Sequence, residues 1–271
     1  MRNFCYFMLA LLLGVSVWAC NDPDPEFGVN EFGRLQLVFD NVVGTEDLRL
    51  QTGIYNNAAG EQFSVSLLNY FVSNVRLKRA DGSEYVVPQD SSYFLIKEAE
   101  PASQTVTITN VPAGDYVGVS YLIGVDSLRS TMDISRRKGV LEPAGAHNGG
   151  MYWDWNSGYI FFKLEGVSPQ APVNPAGTRS FVYHVGFFGG YETKTINNLR
   201  TATLSFGSDV AQVSATNTPR LTIRADILRV FDGAQRVSIA QNNNVMVSPF
   251  SATIASNYAN MFQYSQPVKT N

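Results

Sequence analysis

Thiols and imidazoles are scarce in this chain: its 271 residues hold two cysteines, Cys5 and Cys20, and two histidines, His147 and His184. Both cysteines fall within a leader-like start. Arg2 gives it a positive end, Phe7 to Val17 is apolar, and Val17-Trp18-Ala19-Cys20 closes on a small residue before cysteine. That is the pattern of a cleaved export signal over residues 1–19. The apolar run is too short to span a bilayer comfortably, and no later stretch is long and apolar enough for a second membrane segment. The processed body then has no thiol, which excludes internal disulfides, zinc fingers and iron–sulfur clusters. GxSxG, HExxH and a Ser/His/Asp order are also missing. Nucleophilic catalysis has little to work with and nothing specific points to paired-carboxylate hydrolysis, so the chain is expected not to be an enzyme. An excess of positive charge is absent too. The formal net charge is -3, and removing residues 1–19 takes away one cation, Arg2, to give -4. Nucleic acid is therefore not an expected partner.

What the chain does have is apolar material, 45% hydrophobic and 12% aromatic, enough for a well-packed core. Residues 20–33 are acidic and rich in Pro and Gly, and read as a tether. Beyond them come short β-branched and aromatic runs bounded by Gly, Pro, Asp or Asn. The spacing predicts strands over 35–40, 47–52, 63–78 (with a bend or break near Leu68-Asn69), 93–97, 105–109 and 116–123. Further strands are expected over 159–165, 181–187, 202–206, 221–231 and 244–247. Short helices are expected over 128–137 and 252–262, and an irregular connection over 166–177, which holds three prolines. No repeat, heptad or βαβ alternation is present. The pattern is that of an all-β protein, an antiparallel β-sandwich with irregular loops and few short helices, occupying residues 34–271 as one domain.

Two segments, HNGGMYWDWNSGYIFFKLEG at 147–166 and FVYHVGF at 181–187, carry both histidines. Met151, Trp153 and Trp155 alternate, so on a strand they share one face, close behind His147. A strand bearing His184 follows about one hairpin later. Neutral imidazole suits copper, zinc, iron and nickel, and thioether sulfur adds a preference for cuprous copper. His147, His184 and Met151 are thus candidate metal ligands, with copper the best match. An indole offers only a donor N–H, so Trp153 and Trp155 would surround such a metal and control its dielectric and solvent access.

Two plainer alternatives stand beside this one. In the first, both tryptophans are core residues, His184 is a hydrogen-bonded strand histidine and His147 sits on a loop. In the second, Tyr152, Trp153, Trp155 and Tyr159 form a solvent-facing platform of a non-catalytic surface lipoprotein that binds glycan or protein without metal. Asp126, Asp133, Glu142 and Asp154 flank the region, but their spacing fits no calcium loop. They read as solvated or turn-forming carboxylates.

The run GMYWDWNSGYIFFKLEG followed by FVYHVG resembles the signature of the MbnP-like family of exported bacterial copper-binding proteins. LQLVFDNVVG, GEQFSVSLLNYFVSNVRL, SSYFLIK and VPAGDYVGVSYLIGVDS agree in the same order, so the likeness covers most of the processed chain. It implies a β-sandwich with one copper ion per chain, held by His147 and His184 and serving copper acquisition or handling. It also implies that Trp153 or Trp155 is oxidised to kynurenine by a dihaem partner of the MauG type. The end of the leader resembles a lipobox, which implies lipidation at Cys20 and anchoring in the bacterial cell envelope, on the periplasmic side or at the outer-membrane surface. Membrane face, oligomeric state and the choice between the two tryptophans stay open at this level.

Overall fold

The computed structural model describes residues 31–144, 149–153 and 158–265. Cys20, His147, Asp154 and Trp155 lie outside the described residues. Strand β1 (Phe32–Val43) buries Leu35, Leu37 and Phe39 and turns the residues between them outward, the two-residue period of a half-buried strand. There follow β2 (Glu46–Asp47), β3 (Tyr55–Asn56), β4 (Gln62–Arg79), β5 (Glu84–Val86), β6 (Tyr93–Lys97), β7 (Thr105–Pro112) and β8 (Gly114–Ile123). The second half adds β9 (Tyr152–Trp153), β10 (Gly158–Val167), β11 (Ser180–Gly186), β12 (Arg200–Ser205), β13 (Ala211–Val213), β14 (Arg220–Asp226), β15 (Asn244–Val245) and β16 (Phe262–Tyr264). Helices are few and short: α1 (Ser127–Thr131), α2 (Leu228–Phe231) and α3 (Ser251–Tyr258).

The strands form two sheets. In the smaller, β1 lies between β7 and β14, β16 follows β14, and β2 pairs with the end of β1. The larger runs β12-β8-β4-β10-β11-β15, with β13 beside β8, β3, β5 and β6 on β4, and β9 on β10. This is the strand-dominated, sandwich-type fold expected. Two pairings within it are parallel, β1 with β14 and β11 with β15. The main core joins Leu35, Leu37, Phe39, Leu221 and Ile223 of the smaller sheet to Tyr70, Tyr121, Phe162, Leu164 and Tyr183 of the larger.

Several expected boundaries move. The alternation over 47–52 is a turn, not a strand: after β2 the Gly53 N–H donates to the Arg49 carbonyl at 3.0 Å, and Gln51 takes φ 64°. The run 221–231 divides into β14 and α2, and 252–262 ends as α3 with Phe262 opening β16. The helix expected over 128–137 is α1 plus a separate 3₁₀ turn, Ile134–Arg136, because Asp133 accepts from the Ser135 N–H at 2.9 Å and starts a new turn. Strand β4 is continuous; in place of a break at Leu68-Asn69 it has a register shift against β10, where Glu165 faces Leu67 and Gly166 faces Val65. It also has Asn74 at φ 52°.

The central run Leu68–Ser73 is buried on both faces. Leu68, Tyr70 and Val72 enter the main core, while Phe71 points the other way, into a second cluster with Leu95, Val125, Leu141, Met151, Trp153, Tyr159, Ile160 and Phe161. That outer face of the larger sheet carries the candidate site.

Candidate metal centre

On β11, Phe181, Tyr183 and Val185 belong to the main core, so alternation turns Val182, His184 and Gly186 to the outer face. On β10, Phe162 and Leu164 face the core, which leaves Phe161, Lys163 and Glu165 on that same outer face. Antiparallel pairing sets Lys163 directly opposite His184. Glu165 is its diagonal neighbour, and its Oε1 lies 2.7 Å from His184 Nε2. Lys163 Nζ is 3.8 Å from the same carboxylate oxygen and donates to the Gly150 carbonyl at 3.3 Å. The three side chains are 12% (His184), 14% (Lys163) and 31% (Glu165) exposed. Burial pushes the imidazole below its ordinary pKa, and the Lys163 ammonium works in the same direction. The Glu165 hydrogen bond opposes them without prevailing. The ring is accordingly neutral at neutral pH, the form that can donate a lone pair to a metal.

Gly149 and Gly150 lie over this face. They take φ 59° and 70°, a left-handed pair that glycine adopts without strain. A side chain on Gly149 would meet Lys97 Cε at 3.2 Å and Asn69 Nδ2 at 3.4 Å, and one on Gly150 would meet Lys163 Nζ at 3.4 Å. The backbone therefore lies directly on the polar strip formed by Asn69, Lys97 and Lys163. His147 itself falls outside the described residues, three positions before Gly150.

Met151 and Trp153 are both buried in the second cluster, at 0% and 5% exposure. The sulfur side chain of Met151 packs among apolar neighbours. Trp153 packs on β11 at Gly186, two residues along the strand from His184: a Cβ there would come 2.6 Å from Trp153 Cζ3. That indole also meets the Phe187 ring, centroids 5.3 Å apart. Its edge reaches a cleft of about 650 Å³ walled by Tyr152, Phe187, Phe188 and Tyr191. Gly186→Ala, whose Cβ would come 2.4 Å from the Tyr159 carbonyl oxygen as well as 2.6 Å from Trp153 Cζ3, is expected to push both apart and cost about 1–3 kcal/mol. Thermal melting that leaves the midpoint unchanged would show that the contact is not tight.

A solvent-facing aromatic platform does not form from the described rings. Trp153 and Tyr159 are buried, and Tyr152 meets Tyr159 edge-on at 75°. Of the flanking carboxylates, Asp126 caps α1 by accepting from the Arg129 N–H at 3.0 Å and Asp133 caps its own turn. Both are turn-forming groups. Sequence reading did not single out Lys163 and Glu165. The signal was there in IFFKLEG, where charges at alternate positions of an otherwise apolar strand mark one face as special. Among the described residues no group of three or more His, Cys, Asp or Glu could by itself hold a metal ion, and none of the helices is long and apolar enough to cross a membrane.

The family model MbnP matches residues 32–247, from β1 through β15, and leaves α3 and β16 outside the match. The chain belongs to the MbnP family. Among solved structures it is similar to MbnP from Methylosinus trichosporium, at 15% identity and a TM-score of 0.49, over 77% of this chain and 80% of that one. No curated protein matches. Within this MbnP-family chain, both histidine-bearing segments fall inside the matched residues.

Proposed function

We propose that this protein handles copper, binding one ion between His184 and His147 on the outer face of the larger sheet. The observation that carries the reading is the His184 imidazole, held by Glu165 on the outer face of the β10–β11 pair, with the Gly149-Gly150 backbone lying against the neighbouring Lys163 and Lys97. Gly149 and Gly150, which follow His147 closely in sequence, lie against the polar strip that includes Lys163, the residue paired with His184. Family membership supports copper in particular, as does a donor set of imidazoles without thiolate. Two imidazole ligands on one ion bring their nitrogens to roughly 3–4 Å of each other at bond lengths of about 2.0 Å. Met151 contributes packing beneath the site. Copper bound there would supply the ligand-exchange chemistry of acquisition and transfer, and the chain's own part is to hold, orient and shield.

Two further elements of the proposal are anchoring of the processed chain through lipid on Cys20 and oxidation of Trp153 or Trp155 to kynurenine by a dihaem partner. The cleft at the Trp153 edge gives such a partner a place to approach. Mass mapping of the peptide spanning Met151 to Trp155 reads the modification directly.

Copper titration tests the main reading. The wild type is expected to take up one equivalent per chain, and the double variant His147→Ala/His184→Ala none. Equal uptake by the two would dispose of the site.

A further inference from the structure

We infer that Glu165 is a positioning residue for His184: it holds the Nε2–H and so leaves Nδ1 as the atom offered to the metal. This rests on the reading of His184 as a ligand, and extends it by naming the donor atom and the group that selects it. A carboxylate has oxygens that only accept, so the ring nitrogen 2.7 Å from Glu165 Oε1 must be the one that carries the proton. In a neutral imidazole the other nitrogen then bears the lone pair. Without a partner the two tautomers interchange and nothing selects which ring nitrogen keeps its lone pair. With one, both tautomer and rotation are set before any ion arrives, and the basicity of the free nitrogen rises.

Glu165 is itself held. It sits across the strand pair from His184, two positions beyond Lys163, and the Lys163 ammonium stands 3.8 Å from the oxygen that His184 uses. The same ammonium donates to Gly150, so a single chain of polar contacts links the glycine turn after His147 to the imidazole of His184. Glu165 also offsets the Lys163 charge, which would otherwise repel a cation at this spot.

Nitrogen-15 spectra of the metal-free protein read the tautomer directly, with His147→Ala used to assign the two rings. His184 is expected as the Nε2–H form in the wild type and in Glu165→Gln, whose amide oxygen still accepts, and as a mixture in Glu165→Ala. Copper affinity is expected to fall about 10–100-fold in Glu165→Ala and to recover largely in Glu165→Gln. A wild-type His184 in the Nδ1–H form overturns the inference, as does unchanged affinity in Glu165→Ala. In the second case, a loss of binding in His184→Ala would show that the ligand reading survives while the positioning role fails; binding that persists in His184→Ala would remove both.

Discussion

Copper affinity is expected to fall at least about 100-fold when His184 alone is replaced by alanine, while the protein stays folded. Removing a group that merely supports a metal ligand already costs 10–100-fold, and loss of one of two imidazoles removes a metal bond outright. The fold should tolerate the change. His184 lies on the outer face of β11, away from the main core, and the hydrogen bond lost with Glu165 is worth about 1.5–3 kcal/mol at most. Competition titration against a chelator of known affinity, with circular dichroism as the check on folding, separates the two effects. A variant that binds as tightly as the wild type would mean that the strand histidine has a structural role only.

Glu61→Ala is expected to be the most destabilising single change, about 3–5 kcal/mol in chemical denaturation. The Glu61 carboxylate is buried, 6% exposed. It accepts from Asn57 Nδ2 at 2.8 Å, Ser238 Oγ at 2.8 Å, Ile239 N–H at 2.7 Å and Ala240 N–H at 2.9 Å. It thereby fastens the turn before β4 to the segment that delivers Val237 and Ile239 to the core. Alanine would strand these donors away from water, at about 1–3 kcal/mol for each group left without a partner. The same carboxylate gives a pH signature. Burial alone would raise its pKa, but the hydrogen bonds from Ala240, Asn57, Ile239 and Ser238 together outweigh it, and the folded value lies below the ordinary 4.5. Its contribution is therefore complete above that value and is lost as pH falls through the lower, folded pKa. The gap between wild type and variant should narrow in acid. A gap below about 1 kcal/mol at neutral pH, or one that widens in acid, would contradict this role.

Much of this was legible in the residues themselves. Leu35, Leu37 and Phe39 announced β1 by alternation, and the tryptophan-rich run and the His184 strand do meet, at Trp153 and Gly186. Leu48 and Leu50 alternate just as well, yet they close a tight turn at Gln51, because a turn can bury alternate residues without pairing as a strand. Parallel pairing of β1 with β14 joins residues some 180 positions apart, from Gln36 with Arg220 to Val42 with Asp226, and hairpin spacing carries no trace of such a closure. Glu165 and Lys163 were visible as charges in an apolar strand. Only the register between β10 and β11 shows that they meet His184, and register is a property of two strands together.

A crystal of the copper-loaded protein, with diffraction recorded on both sides of the copper absorption edge, places the ion without reference to any variant. One anomalous peak per chain within about 2.1 Å of an imidazole nitrogen of His184, and a similar distance from one of His147, is the expected result. A peak elsewhere on the molecule, with the His184 ring still bound only to Glu165, would contradict the account.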